Sequence, residues 1–263
     1  MKEHSYGCSF LLEAYTPRIL IRYICIMRLT VVFAFFFALG SASISYAQET
    51  ETDKDSLKVV DTNYREDQFY ASLTYNLLAN KPNGLSQSGF SSGYHLGFIR
   101  DMPVNERRNV AIGIGLGLSS NSYNQTMLIT ESNSQYSYTL LNDNEIDFDK
   151  NKFTTYLVEM PFEFRWRTST ATEYDFWRVY AGFKLAYMVF NSSKFEGQSG
   201  TIKLYDIQDF NRFQYGLTLS AGYSTISFQV YYGLNNLFKD SAQINNEPIE
   251  VTAVKMGLIF YIL

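Results

Sequence analysis

Seven charged residues and one histidine carry what chemistry this chain could do. Glu159 and Glu163 lie four residues apart in the run YLVEMPFEFRWR, which closes on Arg165 and Arg167. The next run, WRVYAGFKLAYMVF, brings Arg178 and Lys184, and Lys255 stands near the C-terminus. Facing cations, the two carboxylates would form ion pairs, because a buried charge needs a partner. His95 is the other candidate, for nucleophilic catalysis as the base of a Ser-His-Asp arrangement. No histidine occurs in the loop segments where such a site would be assembled, so the residues argue against an enzyme. The acidic run Asp143, Glu145, Asp147, Asp149 has the look of a calcium loop. It lacks the required Gly and the closing Glu, with Phe148 and Thr154 in those places. A solvated ramp from loop to strand explains it better. No phosphate loop, CxxC or HExxH follows residue 47, and no cofactor is expected.

The elements that hold these groups announce themselves by period two. In NVAIGIGLGLSS one face is Val110, Ile112, Ile114, Leu116 and Leu118, with Ala111 and three glycines between. In YLVEMPFEFRWR the apolar face runs from Tyr156 to Trp166 by twos and all the charges take the other parity. The runs from Trp177 to Val189 and from Val254 to Ile262 repeat the pattern. Alternate side chains of a strand point to opposite faces, so these are strands. Eight are expected: roughly 68–78, 91–100, 109–120, 152–167, 177–190, 210–221, 225–235 and 251–263. The gaps alternate. DMPVNERR, TSTATEYDF and GYS are short, and the others are longer, the longest running from Asn121 to Asn151. A soluble sandwich has no reason to segregate its gap lengths. An outer-membrane barrel does, with short periplasmic turns, long outer loops and an even strand number. Aromatic residues make up 17% of the chain and cluster near strand ends, as interfacial girdles would require. The fold expected is therefore all-β: an eight-stranded antiparallel up-and-down transmembrane barrel over 68–263.

The N-terminal region supports the same compartment. Arg28, the apolar run Leu29 to Leu39 and Ser45-Tyr46-Ala47 read as a secretory signal within residues 1–47. The run is too short for a membrane helix, which needs about 20 residues. A signal anchor from Ile19 to Leu39 is the rival, but Arg22 and Arg28 interrupt it. Met27 stands where a start would be expected, so residues 1–26 read as an over-extension of the frame. Cys8 and Cys25 both fall before the cleavage point, which leaves a cysteine-free mature chain. Residues 48–67 read as an acidic periplasmic tail. Losing Lys2, Arg18, Arg22, Arg28, Glu3 and Glu13 leaves 18 basic and 24 acidic residues, a net of −6. That balance argues against a nucleic-acid partner.

In such a barrel the inward parity holds Tyr70, His95, Glu159, Glu163, Arg165, Arg178, Tyr180, Lys184, Tyr231 and Lys255. Eight strands leave an interior just wide enough for side chains to fill, which excludes a wide solute pore. Glu159 and Glu163 should pair with Arg178 or Lys184 across adjacent strands. These charges read as a structural plug before a gated ion path. Pro161, mid-strand, must sit at a bulge or forgo a ladder bond.

The segments SGYHLGFIRDMPVNERRNVAIGIGLGLSSNSY and YLVEMPFEFRWRTSTATEYDFWRVYAGFKLAYMV resemble the outer-membrane β-barrel family of Bacteroidetes that includes PorT. The likeness lies in a Glu-x-Pro strand (Glu159, Pro161) ending in Arg165 and Arg167, a following Tyr-x-x-x-Lys strand (Tyr180, Lys184), and the closing Gly257-Leu258-Ile259-Phe260. The resemblance implies a small barrel linked to type IX secretion and gliding motility. It implies lipid as one partner and secretion-system proteins as another, met through loops 121–151 and 191–209. One departure is the C-terminus, where outward parity ends at Ile262 rather than at an aromatic. The function expected is a non-enzymatic outer-membrane accessory of protein secretion or cell-surface assembly. A gated small channel or small-ligand carrier is the alternative.

Overall fold

A computed structural model describes residues 67–262, apart from 88, 134, 142–147, 169–175 and 199. The leader, most of the acidic tail, and Asp143, Glu145 and Asp147 lie outside the described residues. Among those described there are thirteen strands and no helix: β1 Gln68–Ala79, β2 Ser92–Pro103, β3 Val110–Asn124, β4 Met127–Ser132, β5 Gln135–Leu140, β6 Phe148–Arg167, β7 Trp177–Gly197, β8 Gly200–Tyr205, β9 Phe213–Tyr223, β10 Ile226–Gly233, β11 Gln243–Ile244, β12 Glu247–Pro248 and β13 Thr252–Ile262. Eight of them form the wall. Each pairs antiparallel with its neighbour in the order β1, β2, β3, β6, β7, β9, β10, β13. The pairing of β13 with β1, from Phe69 opposite Ile262 to Ala79 opposite Thr252, closes the barrel and removes both sheet edges.

The alternation has the inverted sense of a membrane protein. Leu116, Leu118, Phe164, Trp177 and Phe213 are exposed on the outside, while His95, Glu159, Arg165, Arg178 and Lys255 are buried within. Two girdles mark the outer surface. Phe69 lies against Phe98 and Trp177 against Tyr223 at the short-turn end. Tyr156, Phe190 and Tyr205 follow one another at the other end. Along β6 the stretch from Tyr156 to Trp166 matches the roughly 9–11 residues that a tilted strand needs to cross.

The interior of β2 and β3 is crowded, which explains their glycines. A methyl on Gly97 would lie 2.6 Å from the Tyr70 ring, and one on Gly113 2.6 Å from Arg165 Nε. Pro161 keeps its place opposite Lys184 on β7, but the ladder to β3 skips it and Met160. The cost is thus a lost ladder segment. The nearby bulge lies elsewhere, between Tyr156 and Leu157, where Val189 of β7 is the extra residue.

The long segments are more structured than their loop-like sequences suggest. The stretch expected as loop 121–151 contains the end of β3, the β4–β5 hairpin and the start of β6. The stretch 191–209 is mostly an extension of β7 paired with β8. Residues 234–251 hold the small β11–β12 hairpin, turned by Asn245 and Asn246 at φ 53° and 66°. Positive φ at both central residues is what a two-residue hairpin of this twist requires, and Asn tolerates it. These segments meet at the long-loop end and bury a cluster including Met127, Ile129, Phe153, Ile207, Phe210, Phe238 and Ile249.

Candidate functional site

β6 places Glu159 at the middle of the lumen, fully buried. Four groups from four other strands converge on it. Lys184 Nζ of β7 donates at 2.8 Å, and Ser119 Oγ of β3 at 2.7 Å. His95 Nδ1 of β2 lies 3.2 Å from both carboxylate oxygens. Lys255 Nζ of β13 stands 3.9 Å away and lies over the Tyr231 ring, 5.0 Å from its centroid. The other nitrogen of His95 meets Thr74 Oγ1 at 3.2 Å. Both ring nitrogens are thus engaged and the ring is 2% exposed, so His95 reaches no loop where a substrate could be attacked.

A second layer sits nearer the short turns. Asp101 accepts from Arg165 Nη1 at 3.2 Å and from Arg167 Nη2 at 2.8 Å. Glu163 accepts from Arg165 Nε at 3.0 Å. The Arg165 guanidinium also covers Tyr180, 4.6 Å from the ring centroid. Among the described residues, Arg178 meets no carboxylate. Its guanidinium lies between Phe176 (4.6 Å) and Tyr261 (5.2 Å), and it stands opposite Arg167 in the register. The expected alternatives for Glu159 and Glu163 thus resolve as Lys184 for the first and Arg165, on the same strand, for the second. Arg178 is too far along β7, six residues below Lys184, to reach Glu159.

Asp101 was missed by sequence reasoning because it falls in the segment DMPVNERR, which reads as a turn. The signal was present. Continuing β2 by twos from His95 through Gly97 and Ile99 leads to Asp101 on the inward parity. Ser119 and Thr74 were also missed, since small hydroxyl residues on an inward face carry no charge signature.

Inward charges on the wall strands are therefore Arg165, Arg167, Arg178, Lys184 and Lys255 against Asp101, Glu159 and Glu163, a cationic excess in a chain that is acidic as a whole. Between the two layers a cavity of about 20 Å³ opens among Tyr70, Glu163, Tyr180, Lys184 and Tyr261, enough for about one water. Among the described residues no three His, Cys, Asp or Glu side chains come together as a metal site. At the far end the apolar loop cluster covers the lumen. Tyr138 of β5 donates to Asp209 at 2.9 Å there; burial and that carboxylate push its phenol upward.

Two solved structures align with about three quarters of the chain at low identity. Ail, the attachment invasion locus protein of Yersinia pestis, aligns at 10% identity over 74% of this chain and 97% of its own, with a TM-score of 0.32. A mutant porin of Rh. blastica aligns at 9% identity over 74% of this chain and 99% of its own, with a TM-score of 0.18. No curated protein matches the sequence. The model of the outer membrane protein beta-barrel domain matches residues 46–239, a broader grouping than the PorT-like one. A closed eight-stranded barrel with an apolar outer wall, matched by that model over most of its length, is an outer-membrane protein, and the chain belongs to the outer membrane protein beta-barrel domain family.

Proposed function

We propose that this barrel is a non-enzymatic accessory of protein secretion, type IX-like, or of cell-surface assembly, and that it works through its long-loop end rather than through its lumen. The observation that carries this reading is the folded cap. Phe153, Phe210 and Phe238 form a ring cluster, with Phe210 and Phe238 4.4 Å apart, that fixes three long segments into one surface. A conduit would gain nothing from such a core over its mouth. A docking surface gains a defined shape. β8 adds a feature suited to partners: it ends its sheet beyond β7, and Ile202 and Tyr205 are exposed on it. An edge strand of this kind is a template for a strand of another chain. The PorT-like segments favour secretion over other surface tasks.

Affinity purification of the detergent-solubilised chain from native outer membranes tests this. Stoichiometric recovery of secretion-translocon subunits supports it, and recovery of the barrel alone overturns it. The second reading, a gated small channel or carrier, is favoured by the cationic excess and the small cavity of the lumen. Under it Glu163→Gln should change single-channel conductance, with selectivity for anions. Under the accessory reading that substitution alters stability alone.

A further inference from the structure

Outside the lumen, lysines gather on one patch of the described outer surface. Lys152 of β6, Lys194 of β7 and Lys203 of β8 stand in a single cross-strand row. Lys150 follows one step beyond Lys152 on the strand's outward side. Like charges directly opposite one another on a sheet face repel and destabilise it. Glu196 answers Lys194 at 2.5 Å and stands opposite Lys150 in the register, and Asp149 is exposed at the adjacent register shift; on these strands the described residues set two carboxylates beside four ammonium groups. The row lies four residues past Tyr156 on β6 and four past Phe190 on β7, beyond the upper aromatic girdle. At about 3.3 Å per residue and a barrel tilt, that is roughly 10 Å outward, at headgroup depth.

The surface beside the row has two parts. A polar groove of about 320 Å³ runs between β2, β3 and β6, where Lys150 and Lys152 face Ser120, Ser122, Asn124 and Thr154. Further into the membrane on β6 lies an apolar groove of about 260 Å³, walled by Leu116, Met160, Leu185, Tyr187 and Phe213. It opens where the β3–β6 ladder skips Leu116 and Met160. Ammonium and hydroxyl donors above, an acyl-sized apolar trough below: the footprint is that of an anionic amphiphile. A lysine is a point-charge partner for phosphate, and basic clusters at the membrane surface hold phosphorylated headgroups.

We propose that this face binds a phosphorylated glycolipid of the outer leaflet, with its phosphate on Lys150, Lys152 and Lys194 and an acyl chain in the groove beside Met160. A phosphate there offsets the repulsion among Lys150, Lys152 and Lys194. A free phosphate would satisfy the same lysines but would leave the apolar trough unused.

The test uses the full chain in lipid-free detergent micelles, read by native mass spectrometry. The probes are bis-phosphorylated lipid A, its dephosphorylated form and inorganic phosphate. The wild type should retain the phosphorylated lipid about tenfold or more over the dephosphorylated one. The triple variant Lys150→Gln, Lys152→Gln, Lys194→Gln should lose that preference while still migrating as a heat-modifiable barrel, and Lys81→Gln should keep it. Equal retention of the two lipids by the wild type, or an undiminished preference in the triple variant, overturns the proposal. Displacement of the lipid by equimolar inorganic phosphate overturns it too, by making this a site for free phosphate. If the triple variant fails to fold, the wild-type comparison of the two lipids decides alone.

Discussion

Glu159 answers two ammonium groups and an imidazole with one carboxylate, and all of them are shut away from bulk water. Removing its charge leaves Lys184 and Lys255 without a counter-ion, 2.8 and 3.9 Å from a neutral amide. Breaking a buried pair by deleting one partner costs about 3–5 kcal/mol. Glu163 differs. It answers Arg165, which keeps Asp101 at 3.2 Å when Glu163 is neutralised, and its side chain is 10% exposed. Glu159→Gln should therefore lower stability by about 3–5 kcal/mol and Glu163→Gln by about 1–2 kcal/mol. Urea unfolding of both variants in vesicles measures the difference. A larger loss for Glu163→Gln would remove Glu159 from the centre of the network. That Glu159 would meet Lys184 was legible in the sequence, because adjacent strands of known parity bring them level. That Arg178 would lie against the rings of Phe176 and Tyr261 was not. It depends on the register of β6 against β7, which puts Arg178 opposite Arg167 and leaves Asp101 shared by two other arginines.

The wall and the cap are different kinds of element. Wall strands were legible because lipid demands an unbroken apolar parity on one face, and a slip of one residue would turn every charge of the lumen outward. β4 and β5 answer to no such demand. Tyr136, Tyr138 and Leu140 do alternate, and Met127 and Ile129 share one parity, but six-residue strands inside a polar segment read as loop. The pair Asn245-Asn246, between β11 and β12, is a local hairpin signal of its own. The distinction has a consequence for stability. Wall strands are tied by closed ladders, whereas the cap is held by ring contacts such as Phe238 with Phe210 and with Tyr138, the latter 5.8 Å apart. Phe238→Ala should cost the cap about 3–5 kcal/mol and leave the wall intact, because such units open separately. Limited proteolysis should then cut within 206–212 or 234–251 while the remaining barrel stays heat-modifiable. Resistance equal to the wild type would mean that the rings do not hold the cap.

At the scale of the whole molecule, the membrane replaces water as the solvent of the outer wall, and this changes what exposure means. Leu116 is 59% exposed and Trp177 is 61% exposed. If water bathed both, an arginine would be tolerated equally at either. In the barrel they stand at different depths. Leu116 is level with Met160, midway along β6 between Tyr156 and Trp166, whereas Trp177 belongs to the girdle at the short-turn end, against Tyr223. An arginine on the lipid face costs about 2–4 kcal/mol at the bilayer midplane and about 0–1 kcal/mol near the interface. Leu116→Arg should therefore destabilise the vesicle-inserted barrel by about 2–4 kcal/mol, and Trp177→Arg by clearly less once the lost aromatic contact is allowed for by comparison with Trp177→Ala. In detergent micelles, which give way around a charge, the gap should narrow. Equal losses at the two depths in vesicles would mean that these surfaces do not face lipid, and the inside-out reading of the alternation would fall with them.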